Sequence, residues 1–494
     1  MELDHAACYR AVSTRDTRFD GRIFTAVKTT GIYCRPVCPA RTPLQNNVEF
    51  YPSAAAAQEA GYRPCLRCRP ETAPDLGAWK GTSNTVSRAL NMIELGALDD
   101  GNVAHLAARL GVGDRHLRRL FAQHLGASPI AVAQTRRVLL AKQLIHDTNL
   151  SLAQVAMASG FGSIRRFNET FSALYNRPPS EMRRNEKDKA IQDAAAGDVV
   201  VQLNYRAPYD WPAMLKYFAA RAIDGMEVVE NGKYIRAISI GVQHGVVTIS
   251  HFEGKSGSGQ TGKIEARIRF PVLSALPQII ARLRRLLDLS TDPEMVGAHL
   301  GDDPLLKPLI NKRLGLRAPG AWDGFELAIR AILGQQITIE AARKLGNGLV
   351  ADYGEVLGSF TGVAGVTHAF PLACTLADAD LSGLRMPRAR SGALKAMAQA
   401  VVDEPDLFSM RASLDETIKS LTALKGIGDW TAQYIAMRAM QEADAFPAAD
   451  AALINAYEKL TGERLKPKEL QLVAQKWRPW RAYATQYLWA SLAD

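Results

Sequence analysis

Four of the chain's six cysteines, Cys34, Cys38, Cys65 and Cys68, crowd into one short stretch as C-x3-C followed by C-x2-C. Two close thiolate pairs with a longer segment between them suit a tetrahedral Zn2+ site, since that ion is borderline soft and its sulfur ligands deprotonate on binding. A disulfide framework belongs to small secreted domains, not to a long chain in a reducing compartment. Spacing alone leaves two uses open. The metal is either a staple for a small domain or the activator of a nucleophile, because a metal-bound thiolate stays ionised without a general base. Cys8 and Cys374 stand apart and read as incidental.

A second locus lies near the other end. In LKGIGDWTA, Leu424, Gly426, Ile427 and Gly428 form a tight turn between two helical runs. Glycines there let backbone amides come close enough to bind a phosphate directly. Further on, Asp450 follows a loop containing Pro447 and opens an apolar-patterned helix. An aspartate so placed is either a helix N-cap or a carboxylate held for chemistry.

These residues need a scaffold. At 494 residues the chain is too long for one core, so several compact units are expected. No apolar run approaches bilayer length, and MELDHAACYR lacks the pattern of a secretion signal, which points to the cytoplasm and to no membrane partner. The formal net charge of +10 tilts the partners toward polyanions. The fold class expected is multidomain and mainly α. An α+β zinc domain spans 1–75, a helical block 84–184 and a polar linker 185–198. An α+β block follows at 199–290, then an all-α domain at 291–494.

Within the helical block, VAHLAARLGVGDRHLRRLFAQHLG has the helix, glycine turn and helix of a DNA-reading motif. SLAQVAMASGFGSIRRFNETFSALYNRPPSEMRR repeats it. The turns fall at Gly111 to Gly113 and Gly160 to Gly162, with recognition helices starting near Asp114 and Ser163. Their outward side chains are Arg115, His116 and Arg119, then Arg165, Arg166 and Asn168. Two such motifs in tandem, closed by NRPPSEMRR, resemble the AraC family. That resemblance implies two adjacent major-groove insertions and a transcription-activating role with RNA polymerase as a partner.

TTGIYCRPVCPAR followed by AGYRPCLRCRP resembles the N-terminal domain of the Ada adaptive-response family. The resemblance covers the whole cysteine block and implies a reactive zinc site. There the first cysteine of the first pair, here Cys34, takes a methyl group from a DNA methylphosphotriester, with Cys38, Cys65 and Cys68 as companion ligands. Methylation removes one negative charge beside the backbone. At about 8 Å and an effective dielectric near 20 this relieves roughly 2 kcal/mol per phosphate before salt screening. Arg35, Arg41, Arg63, Arg67 and Arg69 surround the cysteines, and phosphate contact is expected of some of them. The O6-alkylguanine transferase sequence, of PCHRV type, is not found.

The GIG turn and Asp450, with GFELAIRAILGQQIT upstream and QKWRPWRAYATQYLW downstream, resemble the helix-hairpin-helix glycosylase superfamily. The match is closest to the AlkA type of 3-methyladenine glycosylase and runs from about 199 to 494, including RAPYDWPAMLKYFAARAIDGMEVV. It implies Asp450 as the catalytic carboxylate and excision of 3-methyladenine- and 7-methylguanine-type bases. Breaking the C1′–N bond places positive charge on the sugar, which a fixed carboxylate stabilises. No lysine matches the Schiff-base position, so a monofunctional glycosylase is expected. Trp430, Tyr434, Trp480 and Tyr217 map to the base pocket, where aromatic faces attract a cationic alkylated purine. Gln336 stands where such enzymes carry a leucine wedge. The alternative is a transcriptional regulator whose C-terminal half binds DNA without catalysis.

Overall fold

The computed structural model describes residues 4–16, 19–73, 84–94, 96–99, 102–148, 150–183, 198–252, 261–358, 365–409, 411 and 413–492. Of the linker expected at 185–198, all but Asp198 lies outside them. The chain forms two compact units. One comprises 1–206 with 252–281, and the other 207–251 with 282–494. The block expected at 199–290 is thus divided between the two.

In the first unit the cysteine domain is built on a small sheet. Strand Phe24–Val27 pairs antiparallel with Ile32–Cys34, placing Thr25 opposite Cys34, and with Val48–Tyr51. Arg63–Pro64 adds in parallel to the Ile32 strand. Ser53 caps helix Ala54–Glu59, whose alanines pack into the core.

Helix Asn84–Glu94 leads into two helix-turn-helix pairs. Val103–Arg109 precedes Asp114–Leu125, and Leu152–Ala158 precedes Ile164–Tyr175. Gly111 and Gly160 take positive φ in the turns, where a Cβ would be strained. Each recognition helix buries residues four apart: Leu117, Phe121 and Leu125 in the first, Phe167, Phe171 and Tyr175 in the second. The long helix Pro129–Asp147 runs between the pairs. Strand Val199–Arg206 pairs antiparallel with Thr261–Arg269, Val199 opposite Ile268.

The second unit carries the meander Glu227–Glu230, Lys233–Ile240 and Gln243–Phe252. It adds a short antiparallel pair, Glu355–Val356 with His368–Ala369, and helices around a core that includes Ile329, Ile332, Leu394, Met397, Ala432 and Ile435. Helices Leu414–Thr422 and Asp429–Arg438 flank the GIG turn. Helices Ala451–Thr461 and Arg481–Ser491 follow. No helix among the described residues is long and apolar enough to cross a membrane.

Candidate functional site

The four cysteines meet. Their sulfur atoms all lie within 4.8 Å of one another, with no histidine or carboxylate in the group. Bonds of about 2.3 Å to one tetrahedral ion require such proximity, so the donor set fits Zn2+. Cys34 ends a strand and Cys65 follows one, and the Cys65 amide donates to the Tyr33 carbonyl at 2.9 Å. Backbone amides also reach the sulfurs: Arg35 N–H to Cys68 Sγ at 3.3 Å and Arg67 N–H to Cys65 Sγ at 3.4 Å. Cys65 and Cys68 are buried, whereas Cys34 is partly exposed, so an outside reactant meets Cys34 first.

The surrounding arginines divide. Arg35 is buried, donates to the Asp20 carboxylate and reaches the Cys68 carbonyl at 3.3 Å, and Arg69 pairs with Glu71 at 3.0 Å. Of the five arginines, of which some were expected to meet phosphate, Arg35 spends its charge on the domain's own carboxylate. Arg41 and Arg67 are exposed. The cysteine domain is joined to the helical block by Lys142 on the long helix. Its fully buried ammonium donates to the Cys65 carbonyl at 3.1 Å and to Glu71 at 2.7 Å. Thr135 to Gln58 at 2.8 Å and Ser53 to the Leu125 carbonyl at 2.6 Å extend the contact.

Both recognition helices turn their cations outward. Arg115, His116 and Arg119 are exposed, as are Arg165, Arg166 and Asn168. Arg165 is also in an exposed pair with Glu169 at 2.8 Å, an interaction worth little and readily exchanged for a phosphate.

The second unit holds a cavity of about 1330 Å³ lined by Tyr217, Gln336, Trp430, Tyr434, Asp450 and Trp489 among others. Asp450 is indeed a helix N-cap, its Oδ1 accepting from Leu453 N–H at 2.8 Å. It also accepts from the Trp489 indole at Oδ1 and the Trp430 indole at Oδ2, each at 2.8 Å. A cap needs one such bond. Three fix both oxygens while the carboxylate still lines the cavity.

The aromatics converge around it. Trp430 stacks on Tyr434 with centroids 5.4 Å apart and planes at 12°. The Tyr217 and Tyr434 hydroxyls lie 3.5 Å apart. Trp480 is a correction: it does not line the cavity. It sits at the N-cap of helix Arg481–Ser491, buried, its ring edge-on to Tyr483. The cavity meets the far end of that helix at Trp489, which sequence reasoning passed over. Its signal was present: Tyr483 and Tyr487 share the buried face, whereas Trp489 lies about 200° further round from Tyr487.

The turn at Gly426 has φ of +82°, and a Cβ there would meet the Ala393 Cβ at 2.4 Å. Ile427 anchors the loop in the core, and Gly426 and Gly428 remain exposed. Gln335 ties the loop down through the Gly426 carbonyl at 3.0 Å and Thr431 at 3.1 Å. Its neighbour Gln336 is exposed at the cavity with a left-handed φ of 57°. The one lysine among the described lining residues, Lys216, is exposed.

Three family models match. The metal binding domain of Ada covers residues 7–71, a helix-turn-helix domain 106–185 and the AlkA N-terminal domain 200–323. A probable bifunctional transcriptional activator/DNA repair enzyme AlkA of Mycobacterium tuberculosis is 38% identical over 493 residues, covering 100% of this chain and 97% of that protein. DNA-3-methyladenine glycosylase 2 of Escherichia coli is 33% identical over 290 residues, 58% of this chain and 95% of that protein. Among solved structures, the 3-methyladenine DNA-glycosylase of Archaeoglobus fulgidus shares the fold with a TM-score of 0.50 at 23% identity. That match covers 58% of this chain and 97% of that one.

Proposed function

Since this chain belongs to the family of bifunctional transcriptional activator/DNA repair proteins that join an Ada-type metal domain to an AlkA-type glycosylase, we propose that it senses and repairs DNA alkylation. The observation that carries this reading is a single chain holding both a thiol tetrad with Cys34 partly exposed and a carboxylate clamped in the lining of an aromatic cavity.

Cys34, Cys38, Cys65 and Cys68 would hold Zn2+, which would keep their sulfurs ionised at neutral pH. Cys34 Sγ attacks the methyl carbon of a methylphosphotriester. A carbon–sulfur bond forms, the methyl C–O bond breaks, and a phosphodiester anion leaves. No group regenerates the thiolate, so each chain turns over once. The charge lost at Cys34 weakens repulsion of the backbone. One unit at about 8 Å is worth roughly 2 kcal/mol, more than tenfold in affinity before salt screening. Arg115, Arg119, Arg165 and Arg166 then engage promoter DNA, and RNA polymerase is recruited.

In the second unit Gly426, Ile427 and Gly428 present backbone amides to a phosphate, and Gln336 fills the gap left by an extruded base. Trp430, Tyr434 and Tyr217 enclose that base. Asp450, oriented by Leu453, Trp430 and Trp489, faces the positive charge that develops at C1′ and guides water to it.

The test is incubation with methylated duplex, followed by intact and peptide mass and assay of released bases. One methyl on Cys34 together with free methylpurine is expected, and Asp450→Asn should abolish only the second. An unmodified Cys34 and uncut purines would reduce the protein to a plain regulator.

A further inference from the structure

Tyr217 does not present a bare aromatic wall. The Arg221 guanidinium lies 4.1 Å from its ring centroid and that of Arg438 5.1 Å away. Arg438 also lies 5.8 Å from the Tyr434 ring and 5.2 Å from that of Trp489. These two charges have neutral acceptors. Arg438 donates to the Pro319 carbonyl and the Gln486 amide oxygen, each at 2.8 Å, and Arg221 to the Tyr217 carbonyl at 3.3 Å. Arg330, nearby, is instead paired with Glu227 at 2.6 Å and Glu326 at 3.0 Å. A cationic base gains less from rings already carrying guanidiniums than from rings alone. A neutral base meets no such penalty, but it leaves as an anion unless a proton reaches it. Both cations lie over the ring of Tyr217, whose hydroxyl is 3.5 Å from that of Tyr434 in the same cavity.

The geometry points to Tyr217 as the proton donor to the leaving base when that base is uncharged, with Arg438 and Arg221 stabilising the phenolate left behind. This rests on the glycosylase reading of the second unit. As the C1′–N bond breaks, its electron pair passes to the base, and an acceptor nitrogen of the base takes the Tyr217 proton. Water adds to C1′ and gives its proton to Asp450, which then releases it to solvent as solvent returns a proton to the phenolate. The two hydroxyls are unequal in the way this requires. Burial by itself pushes the Tyr217 phenol up, but Arg438 and Arg221 outweigh it, so the phenol is more acidic than usual. Burial carries Tyr434 up to about 12, leaving its hydroxyl protonated and able to donate to Tyr217.

The experiment compares single-turnover release by the full chain of N7-methylguanine, which is cationic, and of hypoxanthine, which is neutral, for wild type and Tyr217→Phe. A general acid contributes on the order of a hundredfold or more, so the ratio of hypoxanthine to methylguanine release should fall about a hundredfold. A packing role for the ring would slow both alike. A ratio unchanged within about threefold, or a wild type that frees methylguanine but no hypoxanthine, overturns the assignment. A wild type that frees neither base overturns the glycosylase reading itself.

Discussion

Replacing Asp450 by asparagine separates the two uses of that residue. Asparagine is as good an N-cap as aspartate, so the bond from Leu453 N–H survives and helix Ala451–Thr461 keeps its start. If its amide oxygen stays on the Oδ1 side, it still accepts from Trp489, and its NH2 then faces the Trp430 indole in place of a carboxylate oxygen. That lost charge-assisted bond costs about 1.5–3 kcal/mol of stability. The catalytic loss is larger. One charge about 4 Å from the sugar, at an effective dielectric of 20, is worth about 4 kcal/mol. Excision should therefore slow about a thousandfold in a protein that remains folded. The assay is release of N7-methylguanine with protein in excess over duplex, alongside thermal unfolding. Asp450→Ala removes the cap as well and should lose about 1 kcal/mol more stability at a similar rate. A folded Asp450→Asn protein excising within about tenfold of wild type would refute the electrostatic argument.

Trp489→Phe keeps the ring and removes one of the three donors to Asp450, so base release should slow about tenfold, the equivalent of 1.4 kcal/mol, in the same assay. Lys142→Met strips a buried cation from Glu71 and the Cys65 carbonyl, and denaturant unfolding of the first unit should show a loss of about 3 kcal/mol. Gly426→Ala combines a left-handed φ with a 2.4 Å approach to Ala393. It should destabilise the second unit by about 2 kcal/mol or more, and duplex affinity should fall with it. Glu227 resists burial, which would raise it, because Arg330 and Arg236 hold it below its ordinary value of 4.5. Its contribution to stability is therefore complete above that value and is lost as pH falls through the lower folded one, so Glu227→Gln should flatten the acid limb of a stability–pH curve.

Much of the molecule was legible in order along the chain. The cysteine tetrad, both helix-turn-helix pairs and the GIG hairpin are local patterns. Metal-ligand spacing, four-residue burial stripes and glycines at positive φ each constrain only neighbouring residues. Asp450 was legible as a cap, a role its Oδ1 fills, and the same residue lines the cavity.

The arginines and tryptophans were not separable that way. Whether Arg35 meets a phosphate depended on Asp20, fifteen residues earlier in the chain, and the fate of Lys142 on Glu71, seventy-one residues distant. Choosing Trp489 over Trp480 required knowing which end of one helix faces Trp430. Residue type and spacing determined which groups this protein owns. Tertiary packing decided which of them keep their charge and hydrogen bonds for a ligand, because burial leaves each polar side chain bonded to whatever the fold brings within about 3 Å.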